Sequence, residues 1–163
     1  MPGPKRSVSL GDVDPFRPTR GRPVRVRSRN LPVDSHFEPH RHGWAQLAYC
    51  ATGILQVSAA APGGGGDATY IVPPSRAVWI APQAQHSVHV LDAAQFRTLY
   101  LDGSVVPAGW SGCRVLVVSP LLRELVAALE QPGLRPEREA LLTALLLDEL
   151  GNAATEKLYR DLR

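Results

Sequence analysis

Cysteine is nearly absent from this chain. Its two thiols, Cys50 and Cys113, form neither a C-x-x-C pair nor a zinc-knuckle cluster, so thiol redox chemistry and a disulfide scaffold are excluded and both are expected as buried free thiols. Long apolar runs are missing too. No stretch approaches the roughly 20 residues needed to cross a bilayer, and the Pro- and Arg-rich start lacks the apolar core of a secretory signal, so a membrane role is not expected and the cytoplasm is. The glycine run from Gly63 to Gly66 is not followed by Gly-Lys-Ser/Thr, which leaves it as a hairpin tip rather than a phosphate loop. What is present suffices for one core: 163 residues, 44% hydrophobic and 20% charged, is one domain of ordinary soluble composition with an appended tail.

The net charge of +3 is unevenly placed. Residues 1–30 hold eight Lys or Arg against two Asp, while residues 31–163 hold ten against thirteen acidic residues. A body that gripped DNA by itself would carry its cations on the folded part; here they sit in the leader. Residues 1–22, with four prolines and little apolar content, read as a flexible basic arm, a solvated tail or a candidate lid.

From Pro23 the pattern changes. Val24 and Val26 alternate with Arg25 and Arg27, the period-2 mark of a half-buried strand. Strands are expected at Trp44 to Cys50, Gly53 to Ala59, Ala68 to Val72, Ala77 to Ala81, His86 to Leu91, Gln95 to Leu101 and Cys113 to Val118, divided by Gly-, Pro- and Asp-containing turns. Short strands at this spacing give a mainly β sandwich or barrel over residues 23–118. Residues 119–163 then read as a helical dimerisation or linker segment of two or three helices. Ser119-Pro120 caps a first helix with the stripe Leu121, Leu122, Leu125, Val126 and Leu129, and Gln131-Pro132-Gly133 stops it. A second helix carries Leu141, Leu142, Leu145, Leu146 and Leu150 up to Gly151. Its apolar surface is wider than one contact side requires, which predicts a self-complementary interface in a homodimer.

All five histidines fall between residues 36 and 89. On one extended segment His40 and His42 share a face that continues through Trp44, Gln46, Ala48 and Cys50. His86 opens a later strand, so His40, His42 and His86 are predicted to converge in the interior. Three neutral imidazoles suit Zn²⁺, and nickel, cobalt or iron also accept them. Gln46 supplies an amide where an iron oxygenase triad needs a carboxylate, so hydrogen bonding among these groups, or to a polar effector, stands as the other reading. His36 is a reserve ligand, and His89 is surface or satisfied core. Trp44 is placed on the pocket wall and Trp79 in packing. Cys50 shares the site face without a neighbouring cation that would make it a thiolate.

His40-Arg41-His42 with Gln46 and Gly53, and then Trp79-Ile80-Ala81-Pro82-Gln83-Ala84-Gln85-His86, resemble the two motifs of the cupin superfamily, with Ala81 and Gln83 where the second motif usually has proline and glycine. More narrowly, His40 to Leu47, Pro73 to Ile80 and His86 to Val88 resemble the N-terminal sensing domain of AraC-type bacterial transcription regulators, over roughly residues 23–150. The resemblance implies a cupin-like jelly-roll barrel that takes a small molecule or a metal inside, and a dimer through the C-terminal helices. It also implies DNA binding through a helix-turn-helix domain for which Glu156 to Arg163 is too short, so this chain alone is not expected to bind specific DNA. The expected role is non-enzymatic sensing. The rival is a stand-alone metal-dependent cupin isomerase or dioxygenase, for which Glu38 and Arg41 are the nearest acid–base candidates.

Overall fold

The computed structural model describes residues 6–9, 11, 13–60 and 66–153. Ten strands run in chain order: β1 Arg6–Ser7, β2 Val24–Leu31, β3 Ser35–His40, β4 Ala45–Cys50, β5 Ile54–Ala60, β6 Asp67–Val72, β7 Arg76–Ile80, β8 His86–Asp92, β9 Ala94–Leu101 and β10 Cys113–Val117. Helices α1, Pro120–Glu130, and α2, Pro136–Gly151, follow. The strands form two five-stranded sheets in the orders β1-β3-β8-β5-β6 and β10-β7-β4-β9-β2. Every pairing is antiparallel except that of β1 with β3. This is a mainly β, jelly-roll cupin fold closed by two helices.

Two cores result, and β4 serves both. All six of its residues are buried. Ala48 and Cys50 pack between the sheets with Phe37, Leu55, Val57 and Val90, while Ala45, Leu47 and Tyr49 face the helices with Trp79, Leu99, Leu122, Val126, Leu146 and Leu150. Alternation thus divides one apolar run between two layers. Both cysteines are buried and free, and burial pushes their thiols up to about 12, which leaves them inert. Gly53 has a positive φ of 96°, and a Cβ there would lie 2.4 Å from the Ala93 carbonyl oxygen, so this turn accepts only glycine.

The helices start and stop close to where their signals stand. The Ser119 hydroxyl accepts from the Leu122 amide at 3.0 Å, with Pro120 in the first turn. Gly133, at φ 73°, lies in the break before α2. The hairpin tip expected at Gly63 to Gly66 lies largely outside the described residues, although β5 and β6 pair up to Ala60↔Asp67 on either side of it. A third helix would also lie outside them.

The described leader residues are laid along the barrel. Arg6 and Ser7 pair with Ser35 and His36, and the Val8 amide donates to the His36 carbonyl at 2.8 Å. Arg25 Nη2 donates to the Pro15 carbonyl and Arg29 Nη1 to that of Ser9. At the leader's end Arg22 makes a two-pronged ion pair with Glu139 of α2, Nε to Oε2 at 2.8 Å and Nη2 to Oε1 at 2.6 Å. The same contact holds the Glu139 carboxyl below its ordinary range.

A carboxylate with a depressed folded-state pKa contributes stability above the ordinary carboxyl range and loses it as pH falls through the folded value. Because the Arg22 side chain is half exposed, screening limits the pair to about 1 kcal/mol or less. Glu139→Gln is therefore expected to lower unfolding stability by up to that amount at pH 7 and by nothing measurable near pH 3, as checked by urea titrations at the two pH values.

Candidate metal and effector site

The site sits at one mouth of the barrel and draws on both sheets. His40 ends β3 and lies opposite His86, the first residue of β8. Gln46 comes from β4 in the other sheet, and His42 and Trp44 from the turn between β3 and β4. The single extended segment expected from His40 to Cys50 is therefore corrected: the strand ends at His40, residues 41–44 form an irregular connection to β4 in the other sheet, and the imidazoles meet across it. Strand β3 itself was not foreseen, because Phe37 is its one large inward apolar residue and Pro39 breaks its pattern.

A register shift between Phe37 and His40 decides which histidines meet. His36 and His40 share parity and on a regular strand would share a face; an irregularity of this kind turns the later residue to the other side. His36 stays outside, 3.4 Å from Glu38 and edge-on to His89 at 6.3 Å, so its place as a reserve ligand is withdrawn. His89 lies on the same outer face, with Nε2 3.1 Å from Asp34 Oδ1. Glu38 is exposed, and Arg41 reaches out to Gln85; neither lines the cavity.

The three inward rings are held alike. His40 Nδ1 lies 2.7 Å from the Glu38 carbonyl oxygen, His42 Nδ1 2.9 Å from that of Trp44, and His86 Nδ1 2.9 Å from that of Ala84. A carbonyl only accepts, so each Nδ1 carries the proton and donates, and each Nε2 keeps its lone pair. Ring centroids are 4.2 Å apart for His40 and His86, 5.1 Å for His42 and His86 and 5.8 Å for His40 and His42. One ligand atom from each ring lies within 4.8 Å of the others. His86 Nε2 is buried with no hydrogen-bond partner, an arrangement that costs free energy unless something occupies the space in front of it.

The electrostatics match. Burial, together with the neighbouring rings, lowers the His86 pKa to about 4 despite its bond to the Ala84 carbonyl. Burial also lowers that of His40. Both are neutral at physiological pH, the state a metal requires. Gln46 Oε1 stands 2.8 Å from His42 Nε2. With the proton on Nδ1 those two atoms are both acceptors, so either the amide is turned to donate or the pair shares a cation. The spacing suits adjacent ligands bound at about 2.0–2.2 Å each. The residues therefore fit a divalent ion held by His40, His42 and His86, with Gln46 beside it.

Trp44 stacks on His42, with centroids 5.3 Å apart and planes at 9°, and Tyr100 meets both rings edge-on. The Arg17 guanidinium of the leader covers the outer face of Trp44 at 5.5 Å. Trp79 is fully buried in the helix-facing core. The cavity itself is about 30 Å³, room for an ion and a water or two, because hydrocarbon fills the barrel below it. Its lining includes Arg27, Arg29, Thr98 and Tyr100, none of which was singled out from the sequence. Alternation in β2 marks two faces but not which of them turns inward. Val24 and Val26 pack toward the helices, so the arginines face the interior.

Comparison with known proteins accords with this architecture. The family described as the AraC-like ligand binding domain matches residues 23–146. The chain belongs to that family. It is 29% identical over 143 residues to the HTH-type transcriptional regulator NimR of Escherichia coli K12, an alignment covering 76% of this chain and 52% of that protein, so the chain spans about half the length of that relative. Among solved structures, apo ToxT K231A from Vibrio cholerae superposes with a TM-score of 0.56 at 9% identity, over 82% of this chain and 55% of the other, a likeness of fold. An oxalate decarboxylase formate complex from Lactobacillus farciminis gives 0.45 at 18% identity, over 49% of this chain and 24% of the other.

In metal-free protein the three imidazoles are expected to show the Nδ1–H tautomer in long-range ¹H–¹⁵N spectra. His86 should stay neutral at pH 5, where a free imidazole is mostly protonated. A protonated His86 ring at that pH would contradict the burial argument.

Proposed function

We propose that this chain is the effector-sensing and dimerisation domain of an AraC-type transcription regulator, holding a divalent metal, a small molecule or both at the barrel mouth. The observation that carries this reading is the convergence of His40, His42 and His86, with one ring nitrogen of each within 4.8 Å of the others beside Gln46, in a chain of the AraC-like ligand-binding family. A bound ion would supply Lewis acidity to a ligand oxygen. The chain's own residues orient the rings through Glu38, Trp44 and Ala84 carbonyls and limit access through Trp44 and Arg17. Sensing would operate by population shift, with the occupant binding one arrangement of the leader and helices more tightly than another.

A non-enzymatic role is supported by the cavity lining. Glu38 and Arg41 point away, and among the described residues no carboxylate lines the cavity. A part in DNA-binding regulation and cytoplasmic placement both rest on the HTH-type regulator relative. No described helix is long and apolar enough to cross a membrane.

The test is metal analysis of the purified protein beside its His40→Ala/His42→Ala variant. About one equivalent of divalent metal per chain is expected in the first and less than a tenth of that in the second. Equally negligible metal in both would remove the metal and leave a small-molecule sensor.

Dimerisation is proposed through α2, where Leu146 and Leu150 are buried but Leu141 is 74% and Leu145 45% exposed. Two adjacent exposed leucines on one helix suit a two-fold contact. Light scattering at micromolar concentration should give twice the chain mass of 17.7 kDa, and Leu141→Glu/Leu145→Glu should return the monomer. A monomeric native protein would remove this part of the proposal.

A further inference from the structure

The cavity carries a charge that no carboxylate among the described residues balances. Arg27 and Arg29 alternate on β2, about 6.6 Å apart along the strand, opposite Thr98 and Phe96 of β9. Both line the cavity with His40, His86, Gln46 and Tyr100. Among the described residues neither has a carboxylate partner: Glu139 pairs with Arg22 and Glu130 with Arg97. Asp34 and Glu38 are engaged with His89 and His36 on the outer face of the sheet.

These guanidinium groups are nevertheless held in place. Arg27 lies over the Phe16 ring at 5.4 Å and Arg29 over Phe37 at 5.2 Å. Arg29 spends one donor on the Ser9 carbonyl, while Arg27 makes no hydrogen bond among the described residues. Each guanidinium has five N–H donors in a fixed fork. Burial and the neighbouring charge of Arg27 lower the pKa of Arg29, as expected where two cations share a confined space. Costly as such a pair is, it is positioned by rings and a backbone oxygen and has no acid partner among the described residues.

We propose that the occupant of the barrel mouth is a small anion, a carboxylate or comparable oxoanion, whose oxygens bridge Arg27 and Arg29 on one side and face the histidine cluster on the other. The assignment rests on the barrel mouth being the effector site, and it names the chemical class that site takes. Planar oxygens match the guanidinium forks, and charge-assisted bonds of this kind are about twice as strong as neutral ones. Thr98 and Tyr100 add hydroxyls at the edge of the same space, so a neutral isostere would lose the ionic contacts and keep only those.

The test compares acetate with acetamide, which match in shape and differ in charge, by ligand-observed NMR titration of the protein as purified at constant ionic strength. Acetate should bind at least tenfold more tightly than acetamide, and Arg27→Gln/Arg29→Gln should bring the two within threefold. Equal binding of the pair by the native protein, or undiminished acetate preference in the variant, overturns the assignment. Undiminished preference would place the anion on a metal or elsewhere. If the glutamine variant fails to fold, Arg27→Lys/Arg29→Lys decides: acetate preference is kept with at least threefold weaker binding, and loss of all preference or no weakening counts against the proposal. The metal content and oligomeric state of the native protein are read separately, so failure of the sensing role and failure of the anion assignment remain distinguishable.

Discussion

The site depends on the register shift in β3 between Phe37 and His40. Residues 36, 38 and 40 would face the same way on an uninterrupted strand, and that way is outward, as His36 and Glu38 show. Turning His40 inward at Pro39 sets its imidazole 4.2 Å from that of His86. The irregular connection that follows brings His42 and Trp44 beside His86 and Tyr100. The irregularity sacrifices regular ladder pairing where the strand meets the barrel rim, and what it provides there is a third inward-facing imidazole. The carbonyl bonds to the Nδ1 atoms then complete the design, because a ring free to spin would not keep its lone pair aimed inward.

The architecture was largely legible because apolar alternation and turn chemistry are local signals. Val88 and Val90 faced the core with the parity expected, and Ser119-Pro120 started α1 where its capping chemistry put it. The convergence of His40, His42 and His86 was legible as an outcome, but by the wrong geometry. Parity is a property of an unbroken strand, and no pattern in Ser35 to His40 announced both a strand and its bulge. His36 went astray for the same reason, since spacing alone cannot say on which side of an irregularity a residue lies.

Arg27 and Arg29 illustrate a different limit. Alternating Val and Arg announces a two-faced strand, and the usual assignment puts charge in water and valine in the core. In this fold β2 borders two buried layers, so its valines have the helix layer to enter and its arginines the barrel mouth. Which layer a strand's polar face meets is a tertiary fact. The clue available beforehand was the absence of any acid on β2 or β9 positioned to neutralise the pair, a deficiency that an exposed strand would not have needed to repair.

The same double border leaves β2 in contact with both the barrel mouth and the helix layer. Its inner face lines the cavity beside His40 and His86, its outer face places Val24 and Val26 in the core containing Leu146 and Leu150, and the residue two before its start, Arg22, is tied to α2 through Glu139. A population shift needs an element whose energy depends on both sites, not a chain of contacts chosen for proximity. Under the proposed sensing role, β2 is the candidate for that element, since it packs against both. The groups that set its position toward the cavity are charged, confined and held by the leader's Phe16 and Ser9, while those that set its position toward the helices are close-packed and tolerate little displacement. An occupant that changed the balance of charge at Arg27 and Arg29 would therefore act on a strand already in mechanical contact with both the leader and α2, without requiring the rest of the barrel to deform.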